Sequence, residues 1–196
     1  KEELEVEMEK LLINSISGNI PDPIKEELNR MQKLEKDNYG VLFAVRDSYE
    51  TVLKILLLSV CYLMKENDED GFCKTLFLKQ MSFGDWINEL PSELKKSDYV
   101  LNHPPIHKYI KNLVKFYNTS NIVKWRNEFI GHGLMSDPED EDFFKDAGAK
   151  INELIDFLTK YSIPQDILQL DFKNLVPFMF TEADEFFLYE SVSSTG

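Results

Sequence analysis

Arg126, Asn127 and His132, in the stretch WRNEFIGHG at 125–133, are the residues of this chain whose types and spacing suit chemistry. An arginine stands in an otherwise apolar helical segment, and a histidine follows six residues later between Gly131 and Gly133. On a regular helix Ile122, Arg126, Phe129 and Gly133 fall along one stripe, so Arg126 is expected where a core residue would stand. A guanidinium buried alone is costly, which leaves three outcomes: a carboxylate partner, a second subunit, or an anion held at the site. His132 lies about 120° around the helix from Arg126, and the flanking glycines let the last turn unwind enough to swing the imidazole back. The dipole at a helix C-terminus favours a charged histidine, which suits a proton donor.

The local charge agrees with an anion site, and phosphate is a plausible guest. Between Asn102 and Ser136 stand five cations (Lys108, Lys111, Lys115, Lys124 and Arg126) and one acid, Glu128, a balance of +4 inside a chain of −13. Lys108, Lys111 and Lys115 share one helical face, as a stripe tracking a phosphate backbone requires. The acidic run Asp137 to Asp142 follows at once and opposes entry of a polyanion, or is simply a solvated loop. With 22 basic against 35 acidic residues, a protein that coats nucleic acid through its whole surface is excluded.

Blander readings stand beside the chemical one. Arg126 can pair with Glu50, and His132 can cap the last carbonyls of its helix. Trp86, Trp125 and Phe129 read as core or interface aromatics. His103 and His107 lack the Cys or carboxylate company of a zinc site, so no metal is expected, and no cofactor. There is no phosphate-cradling glycine loop, CxxC pair or GxSxG; Arg46, Asp47, Glu50 and Lys54 read as helix-surface or interhelical pairing.

The elements that must position these residues read as helices. Leu4, Met8, Leu11 and Leu12 make a short amphipathic helix, and Asp22 caps a second, with Pro23 at its first position and Ile24, Leu28 and Met31 as its stripe. From Tyr39 to Met64 a helical period through Val41, Val45, Tyr49, Val52, Leu56 and Val60 turns apolar nearly all round, which predicts a central rod. Ile106, Ile110, Leu113 and Tyr117 make a further helix, Asn118 to Ser120 a turn and cap for the one carrying WRNEFI, and Phe144 to Leu158 a last one, ended near Pro164. LVPFMF and EFFLYESV flank TEAD as two strands of a hairpin over 174–192.

The fold class expected is therefore all-α, a bundle of five or six helices with a short C-terminal β-hairpin. The domains expected are a helical domain at 1–168 and the hairpin at 169–196, which could belong to a following domain. At 196 residues, 43% of them hydrophobic, the chain can bury one good core. ILLLSVCYLM at 55–64 is about half of a bilayer span, so it is read as a buried helix and no membrane partner is expected. Two cysteines, Cys61 and Cys73, make no disulfide framework, and with no signal peptide a reducing cytoplasm is the default location. The opening KEEL, without Met, suggests a piece of something longer.

Arginine, a polar residue, four further positions and histidine, at the end of a penultimate bundle helix, resembles the signature of the HEPN superfamily (higher eukaryotes and prokaryotes nucleotide-binding domains). Arg126, Asn127 and His132 match that motif, and RDSYE at 46–50 and MSFGDW at 81–86 look similar to what precedes it in relatives. The resemblance covers residues 1–165. It implies a metal-independent endoribonuclease, a toxin or antiviral-defence effector, acting as a homodimer with both motifs at one interface. RNA supplies its own nucleophile, the 2′-hydroxyl; His132 would be the acid or base, Arg126 would stabilise charge on the phosphate, and Asn127 would orient substrate or histidine. The alternative is a non-catalytic module of the same type that dimerises or binds a nucleotide or partner protein, with a regulatory domain attached or supplied by that partner.

Overall fold

The computed structural model describes residues 19–32, 38–65, 67, 81–131 and 141–172. Over these residues the chain is all-helical, with α1 (Asp22–Gln32), α2 (Asn38–Lys65), α3 (Phe83–Leu94), α4 (Asp98–Asn102), α5 (Pro104–Thr119), α6 (Ile122–Gly131), α7 (Glu141–Lys160) and α8 (Gln165–Leu168). The helix expected around Leu4 to Leu12, the hairpin expected over 174–192, Cys73 and His132 lie outside the described residues.

The rod expected over 39–64 is α2, whose 28 residues run about 42 Å at the usual helical rise. Its second half is apolar nearly all round because most of its circumference is covered. Val45, Tyr49, Val52, Leu56 and Val60 are buried along the expected stripe, and Leu53, Leu57, Cys61 and Met64 are buried round the rest of the helix. Helices α1, α3, α5, α6, α7 and α8 all pack against it. Each fully buried leucine of this kind contributes about 1.5–3 kcal/mol over its exposed state, so α2 is the main source of core stability.

Helix α3 begins where Ser82 closes a capping box: its hydroxyl accepts from the Asp85 N–H, and the Asp85 carboxylate accepts from the Ser82 N–H at 2.8 Å. It continues through a buried Pro91 to Leu94. Helix α5 carries Pro104 and Pro105 in its first turn, where the missing proline N–H groups have no intrahelical acceptor to meet. The His103 ring just before it is engaged, its Nδ1 lying 2.6 Å from the Tyr99 carbonyl and its ring stacked on Tyr99.

Three hydrogen bonds tie α2, α5 and α7 into one block. The Tyr117 hydroxyl donates to the Tyr49 carbonyl at 2.6 Å, and the Tyr49 hydroxyl donates to the Lys150 carbonyl at 2.7 Å. The Lys150 ammonium then donates to the Ser120 carbonyl at 2.6 Å. Because each donor sits on a different helix from its acceptor, the three helices cannot slide past one another without leaving a polar group unpaired.

Candidate functional site

The turn that starts α6 fixes where Arg126 stands. Asn118 and Thr119, expected to belong to the turn, still lie in α5, and Asn118 Nδ2 donates to Asn88 Oδ1 on α3 at 3.1 Å. Ser120 is the C-cap, its N–H reaching the Phe116 carbonyl at 2.8 Å. Asn121 follows at φ 53°, in the left-handed region where asparagine is among the few tolerated side chains. Its carbonyl accepts from the Trp125 N–H at 2.9 Å and so opens α6. The Lys150 ammonium on the Ser120 carbonyl satisfies a carbonyl that α5 leaves without an intrahelical donor.

From that start α6 presents Ile122 and Trp125 to the core, with Phe129 packed partly buried beside Trp125 at 5.0 Å between ring centroids. This corrects the expected stripe: the residue between Ile122 and Phe129 that fills the core is Trp125, and Arg126 sits at its edge, half-buried. The Arg126 Nε is nevertheless buried and has no hydrogen-bond partner. The carboxylate expected to pair with Arg126 in the structural reading is engaged elsewhere, since Glu50 Oε2 meets Lys54 Nζ at 3.2 Å. Arg46 pairs with its neighbour Asp47 at 2.6 Å. Among the described residues no carboxylate forms an ion pair with Arg126. Asn127, next along the helix, is exposed.

Arg126 and Asn127 are thus brought together as helical neighbours at the free edge of α6. His132, five positions beyond Asn127, lies outside the described residues, as do Asp137 to Asp140 of the acidic run.

The lysine stripe on α5 stands as its spacing requires. Lys108, Lys111 and Lys115 are exposed and form no ion pair among the described residues. Among the described helices α5 alone carries no acidic residue. Lys124 of α6 lies 3.5 Å from Glu128 across an exposed helical turn.

A groove of about 370 Å³ opens between the C-terminal halves of α5 and α7, and its lining includes Lys115 and Ser120 but neither Arg126 nor Asn127. Sequence reasoning missed it, because Lys115 and Lys160, which face each other across it, are 45 residues apart. Deeper in, burial pushes the hydroxyls of Tyr49, Tyr109 and Tyr117 well above the ordinary phenol range. That of Tyr109 has no hydrogen-bond partner.

Among the described residues no group of three or more His, Cys, Asp and Glu side chains is arranged to hold a metal ion, and no helix is long and apolar enough to cross a membrane. No family model, curated protein or solved structure matches the chain.

Proposed function

We propose that the chain is a metal-independent endoribonuclease of the HEPN type, working as a cytoplasmic homodimer that brings Arg126, Asn127 and His132 of both protomers to one cleft. The observation that carries this reading is Arg126 itself: a half-buried guanidinium whose Nε is buried without a partner, while Glu50 is held by Lys54. A side chain kept at that cost, six residues before a histidine between glycines, is suited to a phosphate. The acid-free helix α5 adds a cationic stripe in an otherwise acidic chain.

In the reaction the RNA 2′-oxygen attacks the adjacent phosphorus as its proton passes to a base. The bond from phosphorus to the 5′-oxygen breaks, and that oxygen takes a proton from an acid. His132 of one protomer or the other supplies these proton transfers, and Arg126 balances the charge that builds on the phosphate oxygens. The products end in a 2′,3′-cyclic phosphate and a 5′-hydroxyl.

The second reading, a non-catalytic HEPN-like module that dimerises or binds a nucleotide or partner protein, is favoured by one observation: the groove lies away from Arg126 and Asn127. One paired assay separates the two. Wild type, Arg126→Ala and His132→Ala are incubated with single-stranded RNA in EDTA, and each is melted in parallel. The endoribonuclease reading expects both variants to fold and to lose about 10²–10⁴-fold in cleavage rate. Cleavage that survives His132→Ala, or that needs a divalent ion, overturns it.

A further inference from the structure

We propose that the groove between α5 and α7 is a ribonucleotide subsite, which holds one nucleoside of a single-stranded RNA whose phosphates run along Lys108, Lys111 and Lys115. The inference rests on the reading of the chain as an RNA-cleaving protein and names a part of its substrate surface whose lining does not include Arg126.

Cations, an aromatic ring, an amide and a carboxylate line the groove, and together they suit the phosphate, base and ribose of a ribonucleotide. Lys115 and Lys160 are exposed cations with no ion pair among the described residues, placed on opposite walls. They suit phosphate. Tyr161 lies at the end of an aromatic row: its ring is tilted by 40° to the buried Phe157 at 5.2 Å, and Phe157 is in turn stacked on Phe116 at 4.5 Å, whose ring is also stacked on Tyr49. Phe116 and Phe157 are taken up by that packing, so Tyr161 is the ring left to take a base by stacking, whatever its identity. Lys160 Nζ stands 5.4 Å above the Tyr161 ring, which keeps a cation beside it. Asn112 offers an amide that can both donate and accept at a base edge. Asp156, exposed and without an ion pair among the described residues, accepts from ribose hydroxyls; Glu153, the other carboxylate of the lining, is already held by Lys150 at 3.1 Å.

Charge balance argues against a simpler anion site. With Asp156 in the same lining as the two lysines, a bare phosphate meets repulsion as well as attraction, whereas a nucleotide offers the carboxylate a hydroxyl donor. The groove's volume, about 370 Å³, falls within the roughly 300–1,000 Å³ usual for pockets that enclose small organic ligands. The 2′-hydroxyl is the group by which a protein tells RNA from DNA, and Asp156 is the carboxylate of the lining, without an ion pair among the described residues, that could accept from it.

The test measures binding of a fluorescent single-stranded octaribonucleotide and its deoxy counterpart to the full chain in an Arg126→Ala background, so that cleavage does not intrude. Variants are Lys115→Ala with Lys160→Ala, Asp156→Ala, and Lys96→Ala as a cation control away from the groove. The paired lysine variant should weaken RNA binding by about tenfold or more and make the slope of log affinity against log salt shallower by about 1.4, the loss of two single-strand phosphate contacts. Asp156→Ala should bring the preference for RNA over DNA close to unity, although removing a negative charge raises affinity for both. Equal binding of the two oligonucleotides by the parent, or a paired lysine variant within about twofold of Lys96→Ala with an unchanged salt slope, overturns the subsite. RNA cleavage by the otherwise wild-type chain that persists in such a case keeps the endoribonuclease reading while removing the groove; lysine-dependent binding without cleavage does the reverse.

Discussion

Replacing Arg126 by methionine should leave the fold intact or make it more stable, and the sign of that change is the sharpest physical test of why the arginine is there. Its Nε is buried without a hydrogen-bond partner, and an unsatisfied buried donor costs about 1–3 kcal/mol. Methionine keeps an unbranched stem of similar reach beside Trp125 and removes that donor. The residue as a whole is only half-buried, so the folded state keeps part of its hydration and the change on substitution stays modest. The expected balance runs from neutral to a gain of about 2 kcal/mol. A structural ion pair behaves in the opposite way: removing one partner of a buried pair typically costs about 3–5 kcal/mol, because the remaining charge is stranded. Urea unfolding of wild type and Arg126→Met, followed by circular dichroism with a common m-value, distinguishes these outcomes easily, and RNA cleavage measured on the same samples should fall away as stability holds or rises. A variant that loses more than about 2 kcal/mol would refute the argument, since only a carboxylate depending on Arg126 accounts for a loss of that size.

Alkaline pH should destabilise the chain through its buried tyrosines. Burial raises Tyr49, Tyr109 and Tyr117 above their ordinary value of 10.0, so the folded chain keeps protons that the unfolded chain releases. Their contribution is complete below that pH and lost above it, by about 1.4 kcal/mol per pH unit for each and roughly 4 for the three; a flat urea midpoint between pH 10 and 11 would contradict this. Lys150→Met should cost about 1–3 kcal/mol, because the buried Ser120 carbonyl loses its charged donor, and should speed hydrogen exchange at the Trp125 amide that the same turn organises. A variant with the wild-type melting point and unchanged Trp125 protection would show that the Lys150 contact does not hold the turn.

The central helix was legible because its pattern leaves no alternative: an apolar period sustained from Tyr39 to Met64, and apolar nearly all round in its second half, reads as a rod packed on several sides, which the 28-residue helix bears out. The face of α6 was not. Two stripes share Ile122 and Phe129, one passing through Trp125 and the other through Arg126, and spacing alone does not choose between positions 100° apart. The choice was made by packing on α2, which takes the larger apolar side chain and leaves the guanidinium at the edge. Helix α3 was obscured for a different reason, since Pro91 ordinarily marks a helix end, yet here the capping box at Ser82 and the buried Ile87, Leu90 and Leu94 carry the helix through it. Lys108, Lys111 and Lys115 could be placed on one face from spacing, whereas the groove could not, because it exists only where α5 meets a helix that begins 22 residues after α5 ends.

These corrections place the burden of positioning on the turn between α5 and α6. Ser120 lines the groove with the lysine-bearing helix on one side of it, and six residues on along the chain stands Arg126. The direction in which α6 leaves is set by Asn121 in a left-handed conformation and by the Lys150 ammonium that holds the carbonyl before it. Lys150 in turn receives the Tyr49 hydroxyl of α2 on its own carbonyl, so the turn is anchored to the central, largely buried helix α2. A half-buried arginine at a helix edge has little packing of its own to fix its position, and a site that discriminates between geometries differing by less than an ångström needs a rigid support. In this chain that support is the run of polar contacts from Tyr117 through Tyr49 and Lys150 to Ser120, which joins the wall of the groove to the start of the helix that carries Arg126.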